Sequence, residues 1–416
     1  MLSDPEERRR QRKSEIARRQ RRRRIQTLKA FLRLAAAFVV LIACGVLIFM
    51  LAKDAKDPTI STDPTETTAG PTLPPYTTIH YAAVGDLNIN GATVAAGGTS
   101  YDYTQAFMDI AHLLSNADIS SVNFEGNLCG EPYGDNHSAP KTMAEALKKA
   151  GVDLVQMANS CAINRGLSGL AASLDGIRSA GMEPLGAYVN NAAFKESKGY
   201  TIRDVNGIKM AFVAFTKGMD GMALPEGSEN CVNVLYSDYD SAYQEVDTKK
   251  ITSILSAVNR EKPDIVIALL HWGSEFNDTI SKSQKKIVTL MQEQGVDAII
   301  GTHSHYVQQM TLNESGQFVA YSLGDFFSDG KRAGSEYSVV LDLEITKNNV
   351  TGETKITGFT YTPIFSVHEE EKPGRVMRIR EAIAAYENNH IDRVSQKTYN
   401  EMCYALQRIE SRIAGE

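Results

Sequence analysis

Two histidines one residue apart, His303 and His305 in Gly301-Thr302-His303-Ser304-His305, are the residues with the clearest capacity for chemistry. Imidazoles at this spacing, in an irregular loop after a strand, can reach a single metal ion. They can equally be hydrogen-bonded core histidines, and the motif alone leaves both readings open. A third histidine, His271, follows another apolar run in His271-Trp272-Gly273-Ser274-Glu275, beside the chain's one tryptophan. Three further sets of polar side chains end apolar runs in the same way: Asp86 after Val84-Gly85, Glu125 in Asn123-Phe124-Glu125, and Asn159 in Ala158-Asn159-Ser160-Cys161. Each alone has an ordinary reading, Asp86 as turn chemistry and Asn159-Ser160 as a helix cap. Together, two acids, an amide and three imidazoles form a mixed oxygen and nitrogen donor set. That chemistry suits one or two divalent ions such as Mn, Fe or Zn better than Ca. Such ions polarise phosphoryl oxygens and supply hydroxide near neutral pH.

Something must bring these positions together, and the pattern of apolar runs says what. Expected strands cover Ile79–Val84, Ile119–Phe124, Leu154–Ala158, Lys209–Phe215, Ile265–Leu270, Ala298–Ile300, Phe318–Ser322 and Ser338–Ile345. Between them, Thr142–Ala150, Leu167–Ala180, Thr248–Asn259 and Ser283–Gln294 carry apolar residues at helical spacing. Strand and helix in alternation predict an α/β layered domain with an at least partly parallel sheet. In such folds the carboxyl ends of the strands hold the site, and the polar residues fall there.

The rest of the chain divides by composition. Residues 1–33 gather Arg8 to Arg10, Arg18-Arg19 and Arg21 to Arg24, although the net charge of all 416 residues is −6. Residues 34–52, LAAAFVVLIACGVLIFMLA, lack any charged side chain and are long enough to cross a bilayer as one helix. A cleaved signal would be shorter and followed by small residues rather than Lys53-Asp54-Ala55-Lys56-Asp57. A basic flank beside a span stays cytoplasmic, which accounts for the arginines without any nucleic acid. The expectation is a single-pass membrane protein with its main domain outside the cytoplasm. Residues 53–78, rich in Thr and Pro, read as an extended stalk. After the main domain, 79–367, a charged connector precedes two amphipathic helical patterns in an extension covering 368–416. Cys129, Cys161, Cys231 and Cys403 are scattered singly, so free thiols and two disulfides remain equal readings.

The motifs, taken in order, resemble the CapA (PgsA-like) family of bacterial poly-γ-glutamate capsule proteins. The pieces are Val84-Gly85-Asp86, Asn123-Phe124-Glu125, Ala158-Asn159, His271-Trp272-Gly273 with Glu275, Gly301 with His303 and His305, and Tyr321-Ser322-Leu323-Gly324. The resemblance implies a layered metallophosphatase-like (calcineurin-like) domain with metal held by Asp86, Glu125, Asn159, His271, His303 and His305. It implies catalytic roles for His271 and Asn159, an anionic polymer as the molecule handled, and membrane synthase or export subunits as partners. Two positions depart from the family pattern, which reads Ala-Asn-Asn-His at 158–161 and Gly-Asn-Phe at 324–326. Here Ser160 and Cys161 replace the second amide and a histidine that resemblance places near a leaving group, and Asp325 replaces an amide. Metal binding with weak phosphoester hydrolysis is therefore expected. A working hydrolase of phosphoester or polymer amide bonds, and a metal-free polymer- or partner-binding module, are the alternatives.

Overall fold

The computed structural model describes residues 74–370, 372–390 and 392–415. The basic tail, the apolar run 34–52 and the stalk up to residue 73 lie outside the described residues. Among those described, no helix is long and apolar enough to cross a membrane.

Two sheets face each other. The first is built from β1 (Tyr76–Asn88), β2 (Ile119–Glu125), β3 (Leu154–Gln156), β4 (Glu183–Leu185), β11 (Asp325–Phe327), β12 (Tyr337–Asn348), β13 (Thr354–Val367) and β14 (Arg375–Arg378). Its order is β14-β13-β12-β1-β2-β3-β4, with β11 added beside β1. The second contains β5 (Tyr200–Val205), β6 (Ile208–Thr216), β7 (Ile265–His271), β8 (Ala298–Thr302), β9 (Met310–Leu312) and β10 (Phe318–Ala320), in the order β5-β6-β7-β8-β10-β9. β1 to β4 run parallel, as do β6, β7, β8 and β10, whereas β12 to β14 form an antiparallel meander.

Alternation along β7 shows how the layers are assigned. Ile265, Ile267 and Leu269 join the core between the sheets, while Val266, Ala268 and Leu270 join a second core beneath two helices. A strand covered on both faces reads as a continuous apolar run, and Ile265 to Leu270 is one. The covering helices are α3 (Thr248–Arg260), with Ile251, Ile254, Leu255 and Val258, and α4 (Lys282–Glu293), with Ile287, Val288 and Met291. Asp247 caps the first through the Lys250 amide, and a Ser281/Gln284 capping box starts the second. On the first sheet, α1 (Lys141–Lys149) and α2 (Gly166–Ser179) pack through Met143, Leu147, Leu170, Leu174 and Ile177.

Two differences from the sequence reading concern the edges. Residues 76–78, expected to close the stalk, already pair with β12, Tyr76 opposite Asn348. Val376, read with Ile379, Ile383 and Tyr386 as one helical face, lies instead in β14, which adds to β13 before the helix begins at Ile379. The two C-terminal helices, α5 (Ile379–Glu387) and α6 (Gln396–Ala414), bury Ile379, Met402, Ile409 and Ile413 in the same core as β1. The four cysteines among the described residues are free thiols.

Candidate metal centre

Parity along β7 also places the first functional side chain. His271 shares the inward face of Ile265, Ile267 and Leu269, while Trp272 turns to the helix side, where its Nε1 donates to the Tyr321 carbonyl at 2.9 Å. His271 therefore points toward the carboxyl ends of β1 and β2, which carry Asp86 and Glu125. All three are buried.

Close approach of backbones makes the rest possible. A Cβ on Gly85 would run into the Gly324 carbonyl, and one on Gly301 into the Tyr321 carbonyl. These glycines let the 321–324 segment cross both sheets, and Asp86 N donates to Gly324 O at 3.0 Å. The loop after β8 then holds His303 at φ 89° and His305 at φ 59°. Bulky residues rarely adopt that left-handed region, and such strain collects at functional sites.

The side chains form a closed web. Asn123 Nδ2 donates to Asp86 Oδ1 at 2.5 Å and lies 3.1 Å from His271 Nδ1. His271 Nε2 is 3.2 Å from Glu125 Oε1, 3.0 Å from Ser160 Oγ and 3.0 Å from His303 Nδ1. His303 N donates to Asp86 Oδ2 at 2.9 Å, and His305 Nδ1 lies 2.8 Å from Asp325 Oδ1. Asn159 stands behind this layer. Its Nδ2 donates to Asn123 Oδ1 and to the Phe124 carbonyl at 3.0 and 2.7 Å, and its Oδ1 accepts from Cys161 N at 3.0 Å. Asn159 thus shapes the 159–161 turn and orients Asn123, and does not cap α2, whose N-cap is Arg165.

Ligand atoms fall into two groups, each lying within 4.8 Å: Glu125, His271 and His303; and Asp86, His305 and Asp325. His303 and His305 fall in different groups, with their ring centroids 6.2 Å apart. Glu275, part of the family-like segment, is exposed and joins neither. Sequence reasoning left Asn123 out of the site and treated Asp325 only as a departure. Asn123 lies on β2 two residues before Glu125 and Asp325 opens β11 opposite Asp86, so nearness to the chosen residues was the available signal.

The electrostatics suit a cation. Burial holds His271 toward neutrality, but Glu125 and Asp86 outweigh it and lift it to about 9. His305 rises to about 10 against its burial because of Asp325, Glu125 and Asp86. Burial lifts the Asp325 carboxyl to about 7, even against the pull of His305. Asp86 is pushed up by burial but falls below the usual range because His271 and His305 face it. Burial and the positive charge of His271 hold His303 neutral. Two buried atoms, Glu125 Oε2 and His303 Nε2, have no hydrogen-bond partner. An orphaned carboxylate oxygen and an orphaned imidazole nitrogen in one group fit a divalent ion, because both are ordinary ligand atoms that no hydrogen bond engages.

Two curated relatives match this chain. "Capsule biosynthesis protein CapA" of Bacillus anthracis is 24% identical over 273 residues, covering 64% of this chain and 63% of the relative. "PGA biosynthesis protein CapA" of Bacillus subtilis (strain 168) is 25% identical over 229 residues, covering 55% and 54%. The chain thus spans less than two thirds of either relative's length. Among solved structures, a phosphatase from Mycoplasma pneumoniae aligns with a TM-score of 0.43 at 15% identity, covering 70% of this chain and 94% of that one. A 5'-nucleotidase precursor from Thermus thermophilus aligns at 0.41 and 12%, covering 76% and 59%. The model of the bacterial capsule synthesis proteins matches residues 80–330, which contain every residue of the two ligand groups. On that match, the chain belongs to the bacterial capsule synthesis protein family PGA_cap.

Proposed function

We propose that this protein is a membrane-anchored, metal-centred surface protein that assists synthesis, export or anchoring of an anionic capsular polymer, poly-γ-glutamate in the first instance. The observation that carries the reading is the pair of buried ligand groups inside the stretch that matches the capsule family. The names of the two CapA relatives supply the polymer class, and residues 34–52 supply the anchor. Glu125, His271 and His303 would hold one divalent ion (Mn, Fe or Zn), with Asp86 and His305 beside it. When bound, such an ion polarises an anionic oxygen, carboxylate or phosphoryl. The chain's own residues set the frame for that contact. Asn159 fixes Asn123, Asn123 fixes the Asp86 carboxylate, and Ser160 steadies the His271 ring.

A second reading, hydrolysis at the metal centre, draws on the same orphaned Glu125 and His303 atoms. Cys161 weighs against it. Burial pushes its thiol pKa well above the ordinary value, so it is a neutral thiol where the family-like pattern has a histidine. No strong general acid therefore stands at that place.

The test is genetic and chemical. Deleting the gene should strip poly-γ-glutamate, or another acidic polymer, from the cell surface, and the full chain should restore it while His271→Ala does not. In the same cells freed of wall, added protease should release the domain from its Thr/Pro stalk. Unchanged surface polymer in the deletion strain would overturn the capsule role, and a domain protected until lysis would overturn the topology.

A further inference from the structure

Asp86 and Asp325 are direct partners across the parallel β1–β11 pair. Both are buried, 0% and 3% exposed. Like charges facing each other on neighbouring strands destabilise a sheet, and burial magnifies the effect. His305 Nδ1 lies 2.8 Å from Asp325 and 4.0 Å from Asp86 Oδ2, while His271 Nδ1 lies 3.6 Å from the other Asp86 oxygen. A third carboxylate, Glu125, sits at the end of the adjacent strand β2. The three ligand atoms of Asp86, His305 and Asp325 already lie within 4.8 Å of one another. Two metal–ligand bonds of about 2.1 Å span about 4 Å, so a small contraction closes the set. The left-handed backbone of His305, with φ 59°, holds the ring over this point.

We propose that Asp325 is a metal ligand that completes a second, oxygen-rich cation site with Asp86 and His305. The idea rests on the metal-centred reading above and deepens it. The first group offers one carboxylate and two imidazoles, and the second two carboxylates and one imidazole. Nitrogen-rich sets suit Zn and Fe, and carboxylate-rich ones suit Mn and Mg. The two positions therefore differ in selectivity, and the chain prefers an unlike pair. The amide of the family-like pattern at 325 would offer a neutral oxygen without the carboxylate's charge.

The full chain in detergent, stripped with chelator and dialysed against one equivalent each of Zn(II) and Mn(II), should retain both by elemental analysis. The isosteric Asp325→Asn should keep Zn and weaken Mn by more than about tenfold, because a neutral amide oxygen replaces a charged ligand where even outer partners are worth about 10–100-fold. Loaded with Mn(II) alone, the wild type should give a spin-coupled paramagnetic signal and Asp325→Asn an isolated six-line one. Glu125→Gln, which dismantles the first group, should still hold one Mn. Retention of both ions by Asp325→Asn overturns the proposal, as does a Glu125→Gln protein that holds none. A wild type that binds one ion overturns it but leaves the metal-centred reading intact, whereas a wild type that binds no metal sinks that reading as well.

Discussion

Glu369 offers the most quantitative test of how the C-terminal helices are attached. Its carboxylate accepts from the Ser395 amide at 2.6 Å and from Thr398 Oγ1 at 3.0 Å, both at the start of α6. It also pairs with Lys372 at 3.2 Å and Arg375 at 3.3 Å. Burial works against the charge, but the Ser395 amide and the Lys372 ammonium dominate with the other partners and hold the group near 2, against an ordinary 4.5. A gap of about 2.5 pH units is worth up to about 3 kcal/mol at neutral pH. The Glu369 side chain is mostly buried, but its partner Lys372 is 43% exposed, so screening reduces this to about 1–2 kcal/mol. Because the folded-state value is depressed, this stability is fully present above about 4.5 and is lost as pH falls through about 2. Glu369→Gln keeps the shape and removes the charge. A fragment covering residues 73–415 should therefore melt about 1–3 °C lower at pH 7 when it carries the substitution. The difference should narrow steadily below about pH 4.5. A gap that persists undiminished at about pH 3, or a gap absent at pH 7, would refute the argument that this carboxylate pins α6 electrostatically.

Changing His303 and His305 together to Ala should abolish bound Mn, Fe or Zn in elemental analysis while circular dichroism stays native, and unchanged metal would make both histidines structural. Ser160→Asn with Cys161→His should raise hydrolysis of an alkyl phosphate by about tenfold or more, because a general acid is restored. Rapid hydrolysis by the unmodified protein would contradict the loss. Gly301→Ala should cost at least about 3 kcal/mol in urea unfolding, since its Cβ meets backbone rather than a movable side chain. A near-neutral Gly301→Ala would show that the 321–324 segment shifts easily.

The central parallel strands were readable in the sequence because they are buried on both faces. Ile265–Leu270 and Lys209–Phe215 grew by only one or two residues in the structure, to Ile265–His271 and Ile208–Thr216. All four helices expected from apolar spacing lie within a residue of their observed ends. Missing, besides the short β4, β9, β11 and β14, were β5, an edge strand whose Arg203 and Asp204 face solvent, and β13, whose first half is partly exposed and broken by Gly358. Neither presents a continuous apolar run, so the period-2 signal is weak there. Asp86, Glu125, His271, His303 and His305 were chosen by their positions at strand ends, and the structure gathers them. The division of His303 from His305 depended on backbone angles that sequence does not display, and Asp325 was hidden because β11 is three residues long.

The meander β12–β14 has a practical consequence for cutting this chain. The stretch that matches the capsule family stops at residue 330, yet β12 is the antiparallel neighbour of β1 along Tyr76–Ala83. A fragment trimmed to the matched stretch would leave β1 as a bare edge with its amide and carbonyl row unpaired. It would also uncover the core side chains that Ile379, Met402 and Ile409 now shield. Such an edge recruits other chains. Expression of the matched stretch alone should therefore yield aggregates, while boundaries before Tyr76 and after α6 keep every strand of the first sheet paired as it stands. The working unit for crystallisation or binding studies is set by hydrogen-bonded neighbours and not by where family similarity fades.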